Sequence, residues 1–324
     1  MSARGWIAFA SVSVLWGIPY LLIKIAVDDG VPPAFLAWAR VLLAAVVLLV
    51  LAWRANLLGS VRGRLRWIAV YAVLEISIPF PLIAAGERDV SSSLAAILIA
   101  TVPLIIALLA LRFDHSERVG GRRLVGLLIG FAGVIALVGI DVAGNSAELR
   151  GAGLVLIAAV GYAAGGMILS RQLRDLDPRA IMGVSLAAAA IVLTPFALLD
   201  LPDGVPSGEA LGSLVVLGLF CTALAFVLFA SLNVEVGPGR AAVITYVAPV
   251  VAVALGVAVL GERPGVGAVA GLLLIIAGSW LSTDGRLPPG LAGVGARLGT
   301  RRQRRRHGAG GDAVPSGAKG SSGG

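Results

Sequence analysis

Ser91 to Leu111 reads SSSLAAILIATVPLIIALLAL, and Gly237 to Val257 reads GPGRAAVITYVAPVVAVALGV. A shift of 146 positions lays Ala95 and Ala96 on Ala241 and Ala242, and Pro103 on Pro249. Both stretches are apolar on every face, with a proline in mid-span. About 20 such residues, at 1.5 Å rise each, cross the roughly 30 Å hydrocarbon core of a bilayer. A helix on the surface of a soluble domain would instead carry one apolar stripe. The repeating unit is therefore a set of membrane spans.

The register holds far from these stretches. Arg4-Gly5 falls on Arg150-Gly151, Trp16 on Tyr162, Pro32 on Pro178, Ala34 on Ala180 and Phe80 on Phe226. Past Leu111 the shift becomes 145, so that Glu117 meets Glu262, Gly126 meets Gly271 and Gly133 meets Gly278. One residue gained or lost in a turn accounts for the change, because turns tolerate it. A constant register over most of the chain marks a tandem duplication.

Composition agrees. The 324 residues are 58% hydrophobic and 14% charged, with mean hydropathy +0.95, where soluble domains carry about 25% charged residues. Hydropathy places ten spans near 6–26, 33–53, 67–86, 92–111, 122–140, 152–170, 180–199, 210–231, 240–260 and 265–282. Five fall in each half, and the joint lies between Asp141 and Arg150. The first apolar run outlasts the h-region of a signal peptide, so no cleavable leader is expected.

Lys and Arg set the orientation. With the N-terminus in the cytoplasm, that side receives Arg4, Arg54, Arg62, Arg64, Arg66, Arg112, Arg118, Arg122, Arg123, Arg171, Arg174, Arg179 and Arg240. The outer side receives Arg88, Arg150 and Arg263, together with Asp28, Asp29, Asp200, Asp203 and Glu209. Ten spans return the C-terminus to the cytoplasm. An odd number of spans per copy inverts one half relative to the other, which is the architecture of alternating access around a midplane site. The expectation is an all-α integral membrane protein of ten transmembrane helices in two inverted five-helix repeats, 1–141 and 150–283. Beyond lies a disordered basic tail, 284–324. The tail's arginines can hold anionic lipid at about 1 kcal/mol per charge, with a plain topology anchor as the simpler expectation, and nucleic acid is not an expected partner of a tethered chain.

The segment SSSLAAILIATVPL at the start of the fourth span, Leu15-Trp16-Gly17 in the first and Arg40 in the second together resemble the EamA-type members of the drug/metabolite transporter superfamily. So do Pro103 followed by Glu117-Arg118, Pro249 followed by Gly261-Glu262-Arg263-Pro264, and the Gly-rich last span. The likeness runs from about residue 4 to 283 and departs at the sixth span, where Tyr162-Ala163 stands for Trp-Gly. It implies ten helices with both termini inside and a central cavity. Members of that family move amino acids, other metabolites, nucleotide derivatives or drugs.

Glu75 is the foremost candidate for function. It sits mid-way along the third span, where a charge costs about 2.5–3.5 kcal/mol on insertion scales. There it can carry a proton or bind a cationic group, or else be a neutral acid tying two helices. Pro79, four residues on, lacks the amide that would bond to the carbonyl of Glu75 and leaves that acceptor available. Arg40 lies about 10 Å deep in the second span, either snorkelling to the interface or pairing with Glu75 or a substrate carboxylate. Trp16, Tyr20 and Lys24 follow i, i+4 spacing on one helix face, and Tyr71 and Glu75 form a second such pair. For Lys24, so near its helix end, snorkelling is the plainer expectation. Arg40, Glu75 and Lys24 map onto Leu186, Cys221 and Ser170, so the site is expected to be asymmetric. Tyr162, Thr222, Thr245 and Tyr246 are the second half's contributors, each with helix packing as the plainer reading. Gly126, Gly130, Gly133, Gly267, Gly271 and Gly278 read as close-packing positions.

These features favour a secondary transporter of a small metabolite or drug-like solute in the cytoplasmic membrane, with proton coupling an option through Glu75. The alternative is a channel or a non-catalytic membrane partner subunit. A membrane enzyme is disfavoured, because His115 and His307 stand apart and Cys221 is alone. No Walker motif is present, and neither a cofactor nor a metal is expected. A homodimer is an assembly that such a chain can form.

Overall fold

The computed structural model describes residues 2–113, 121–236 and 243–282. Outside them lie Glu117-Arg118, His115, His307, the opening of the second proline-bearing stretch through Ala242, and the basic tail. The described residues form helices and turns without a strand. Eight helices are long and apolar enough to cross a membrane: Ala3–Asp28, Pro33–Arg54, Arg62–Gly86, Ser92–Leu109, Leu124–Val142, Ser146–Leu173, Pro178–Leu199 and Gly208–Glu235. Two shorter apolar helices follow, Ile244–Leu260 and Val266–Ser282. Taken in order they are the first to tenth spans, five on either side of the turn at 143–145. Ile7, Ile135, Ile191, Leu199 and Leu273 stand on the outside of the bundle, where lipid replaces water as their neighbour.

The packing is the same when the halves are exchanged. The first span lies against the eighth and ninth, and the sixth against the third and fourth. The second pairs with the seventh, its own counterpart, and the fifth with the tenth. Glycines make the last pair possible. A Cβ on Gly126 would come within 2.8 Å of the Gly278 carbonyl, and one on Gly133 within 3.0 Å of the Gly271 carbonyl. Since 126 corresponds to 271 and 133 to 278, these are one contact seen from its two ends. The helices run antiparallel, as inverted copies must. Lipid tails are as apolar as leucine, so this association rests on close backbone approach rather than on the hydrophobic effect. The expected close-packing role of these glycines is what the structure shows.

The two mid-span prolines behave differently. At Ala100 and Thr101 the fourth span breaks, and Thr101 returns its hydroxyl to the Leu98 carbonyl at 2.6 Å. Pro103 then sits in the first turn of Val102–Phe113, where its missing amide leaves no extra gap. Pro249 instead lies within the unbroken helix Ile244–Leu260. Every residue from Ser92 to Leu98 is buried, which puts the first half of the fourth span at the centre of the bundle.

The third and eighth spans each widen into a π turn, Val73–Ser77 and Leu219–Leu224. The 146-residue shift carries Val73 onto Leu219, so these turns are equivalent. In the third span the cause is Pro79: the Ile78 amide reaches the Val73 carbonyl at 3.0 Å, five residues back. A hydroxyl accompanies each turn. Ser77 donates to the Ala72 carbonyl at 3.2 Å and Thr222 to the Leu217 carbonyl at 2.7 Å, again five residues back.

Helix starts are closed by acids from distant segments. Glu262 accepts from the amides of Ser92 (2.8 Å) and Ser93 (3.0 Å) and from the Ser93 hydroxyl. Asp141 accepts from the amides of Gly267 and Ala268 at the start of the tenth span. A negative side chain suits these positions, because the first amides of a helix lack partners and carry the positive end of its dipole. Gly261, in the left-handed region at φ 64°, ends the ninth span and aims Glu262 at the fourth.

Candidate functional site

Arg40 is buried rather than snorkelling. Its Nε donates to Oγ1 of Thr222 at 2.9 Å, and its guanidinium carbon lies 4.2 Å from the centre of the Phe80 ring. Thr222 belongs to the π turn of the eighth span, and Phe80 follows the π turn of the third. One charged side chain is thus held between two equivalent distortions. The hydrogen bond supplies a polar partner and the ring a favourable face for the cation.

Around it, Tyr20, Tyr162, Cys221 and Glu87 are its electrostatic neighbours. Tyr162 also interacts with Glu75, and Tyr71 with both Glu75 and Tyr162. The hydroxyls of Tyr20 and Tyr162, both terminal nitrogens of Arg40 and Oε1 of Glu75 make no hydrogen bond to the described residues. They come from the first, second, third and sixth spans and lie near enough to act on one another electrostatically. Such a set offers a small solute both donors and acceptors.

Glu75 is half-buried, with Oε2 sealed and without a partner. No ion pair joins it to Arg40. Its room is provided by Gly165 on the sixth span, whose missing side chain would overlap Oε2 and come within 3.1 Å of the Glu75 Cβ. Gly161, one turn earlier, does the same for the Leu74 carbonyl and the Pro79 ring. The sixth span is therefore shaped to take the third span's π turn.

The remaining candidates fall elsewhere. Trp16 packs on Phe229 and Phe226, at 4.7 and 5.8 Å between ring centres, in an apolar cluster that includes Tyr246. Tyr71 is buried and donates to the sulfur of Met182 at 3.4 Å. Lys24 has partners near the end of its helix: its Nζ lies 2.8 Å from the Glu87 carbonyl oxygen and 2.9 Å from Asp28. The stripe Trp16, Tyr20, Lys24 shares a helix face but serves three environments.

Thr222, one of the second half's expected contributors, with packing as the plainer reading, is where Arg40 is held. Two residues escape a sequence reading. Gly165 has no side chain to mark it. Glu87 is wholly buried with both carboxylate oxygens unpartnered, although Glu87-Arg88-Asp89 reads as a surface turn. Among the described residues no group of three or more His, Cys, Asp or Glu side chains is placed to hold a metal.

Comparison with known proteins follows the duplication. The model of the EamA-like transporter family matches residues 3–139 and again 149–283. The chain is 31% identical over 262 residues to the uncharacterized inner membrane transporter YedA of Escherichia coli K12, covering 79% of this chain and 82% of that one. It is 27% identical over 311 residues to a probable amino-acid metabolite efflux pump of Salmonella typhimurium LT2, covering 88% and 96%. A solved crystal structure, 19% identical, superposes with a TM-score of 0.61 over 88% of this chain and 98% of its own. That likeness speaks for the fold.

Proposed function

The chain belongs to the EamA-like transporter family, and from that premise we propose that it carries a small amino-acid-like metabolite across the inner membrane by alternating access. Both termini face the cytoplasm in this reading, the carrier halves are 1–141 and 150–283, and no reaction is catalysed. The observation that carries it is Arg40: a buried guanidinium fixed through Nε, with its two terminal nitrogens still open. A planar fork of that kind takes a carboxylate through two parallel hydrogen bonds. Glu75 and the hydroxyls of Tyr20 and Tyr162 then face the solute's amino group, and Glu75 is the first candidate for exchanging a proton with it. The name of the Salmonella relative supports this substrate class.

Alternation follows from symmetry. When two halves have one fold and opposite insertion, each can adopt the other's conformation, and the pocket between them changes sides. Counterflow in proteoliposomes is the test. Unlabelled amino acid inside should accelerate entry of the labelled one, and Arg40→Gln should lower that exchange at least tenfold. A flux that neither saturates nor responds to solute on the far side would identify a channel instead.

A further inference from the structure

Glu87 follows the last turn of the third span, where its carbonyl receives Lys24 from the first. Its side chain has no solvent exposure, and neither carboxylate oxygen has a hydrogen-bond partner. An ionised carboxylate so placed is among the most unfavourable arrangements in a protein unless a cation is paired with it. The charged and titratable groups that face it are Tyr20, Lys24 and Asp28 on the first span, Arg40 on the second, and Glu262 in the turn after the ninth. None of the charged groups is paired with its carboxylate oxygens. Lys24 is held by Asp28 and by the Glu87 carbonyl. Arg40 is fixed through Nε on Thr222 and lies over the Phe80 ring. Glu262 is committed to Ser92 and Ser93. Two cations and two anions surround the carboxyl, and no cation is within ion-pairing distance of its oxygens.

We propose that Glu87 is a proton site: its carboxyl holds a proton while Lys24 is docked on its carbonyl, and releases it to water when the first span leaves the end of the third. The arrangement differs from that of Glu75, which keeps one oxygen open. Glu87 has no exposed surface, and the Lys24 pair with Asp28 and the Ser93 contact with Glu262 lie beside it at this end of the bundle. A site that is sealed only when one face is shut, and wetted only when it opens, links a proton to the transport cycle. That use of the proton rests on the carrier reading above. The proton itself does not.

The full chain in lipid nanodiscs, followed by infrared spectroscopy at about pH 7, separates the two. At that pH ordinary carboxyls are ionised. In Glu75→Gln, which removes the other buried carboxyl, the protein should still show the carbonyl stretch of a protonated carboxylic acid free of hydrogen bonds, and Glu87→Gln added to it should abolish that band. If the band is absent from Glu75→Gln, or unchanged when Glu87→Gln is added, the proposal falls. Should Glu87→Gln fail to fold, Glu87→Asp decides. A band displaced in frequency supports the assignment, and one left where it was overturns it. Failure of counterflow with the band intact would instead remove the carrier reading and leave the proton site standing.

Discussion

Thr222 accepts the hydrogen bond of Arg40 across the boundary between the two copies, at 2.9 Å. The residue equivalent to Thr222 in the first half is Ile76, and the one equivalent to Arg40 in the second is Leu186. The contact therefore exists once, in a frame built twice. It shows how a symmetric scaffold acquires a site without symmetry.

Removing the threonine hydroxyl should loosen the arginine without removing its charge. A hydrogen bond to a charged group contributes about 1.5–3 kcal/mol, or about ten- to a hundredfold in affinity. Thr222→Val is expected to raise the half-saturating solute concentration by about that factor, and Thr222→Ser to restore most of it. The concentration dependence of counterflow measures both.

Gly165→Ala would thrust a methyl group into the Glu75 carboxylate and its Cβ. Overpacking of this kind costs about 1–3 kcal/mol, so thermal stability in detergent should fall and transport with it. Gly153 lies on the same span with nothing within 4 Å of an added Cβ, and Gly153→Ala should change neither.

At the fifth and tenth spans, Gly278→Ala would meet backbone atoms of Gly126 and Gly130. Backbone cannot rotate out of the way as a side chain can. A loss of about 1–3 kcal/mol is expected, read as a lowered unfolding midpoint. The matched control is Gly139→Ala, which faces open space.

Glu262→Ala should release the start of the fourth span. It removes three acceptor contacts to Ser92 and Ser93, and charge-assisted bonds of this type contribute about 1.5–3 kcal/mol. Thiol labelling of Ser92→Cys should then speed up about tenfold or more relative to the same cysteine with Glu262 intact.

Asp177 gives a prediction in pH. It caps the seventh span by accepting from the Arg179 amide at 2.9 Å. The Arg179 side-chain hydrogen bond holds its carboxyl below the usual range, assisted by the capping amide and opposed by partial burial. A carboxyl depressed in the folded state stabilises it above the unfolded value, near 3.9, and loses that contribution as pH falls through the folded value. The stability gap between the wild type and Asp177→Ala should thus be constant from about pH 5 to 7 and shrink below about pH 4. Because the pair is mostly exposed, the gap will be small, and a urea or thermal series across pH will show it.

The fold was readable because the features that set it are periodic or repeated. Ala95 over Ala241, Pro103 over Pro249 and Gly126 over Gly271 need no tertiary information. The place of Glu75 inside the bundle was readable because it stands mid-way along an apolar span. Glu87 was not, since only the docking of Lys24 turns a polar turn into a sealed compartment. The helix face shared by Trp16, Tyr20 and Lys24 was right, but a face does not name its neighbours, and Phe226, Phe229 and Glu87 come from other spans. Pro79 forecast a distortion in the third span. Its equivalent at Leu219–Leu224 arises without a proline, and nothing local in the sequence announces it.

The glycine seam between the fifth and tenth spans is a surface that fits an upside-down copy of itself. A single five-span polypeptide bearing that seam would find a mate only if some molecules entered the bilayer heads-up and others tails-up. Fusion through the turn at 143–145 ends that lottery. Every newly made chain brings one copy of each sense, in a fixed one-to-one ratio, and from then on the two are at liberty to diverge.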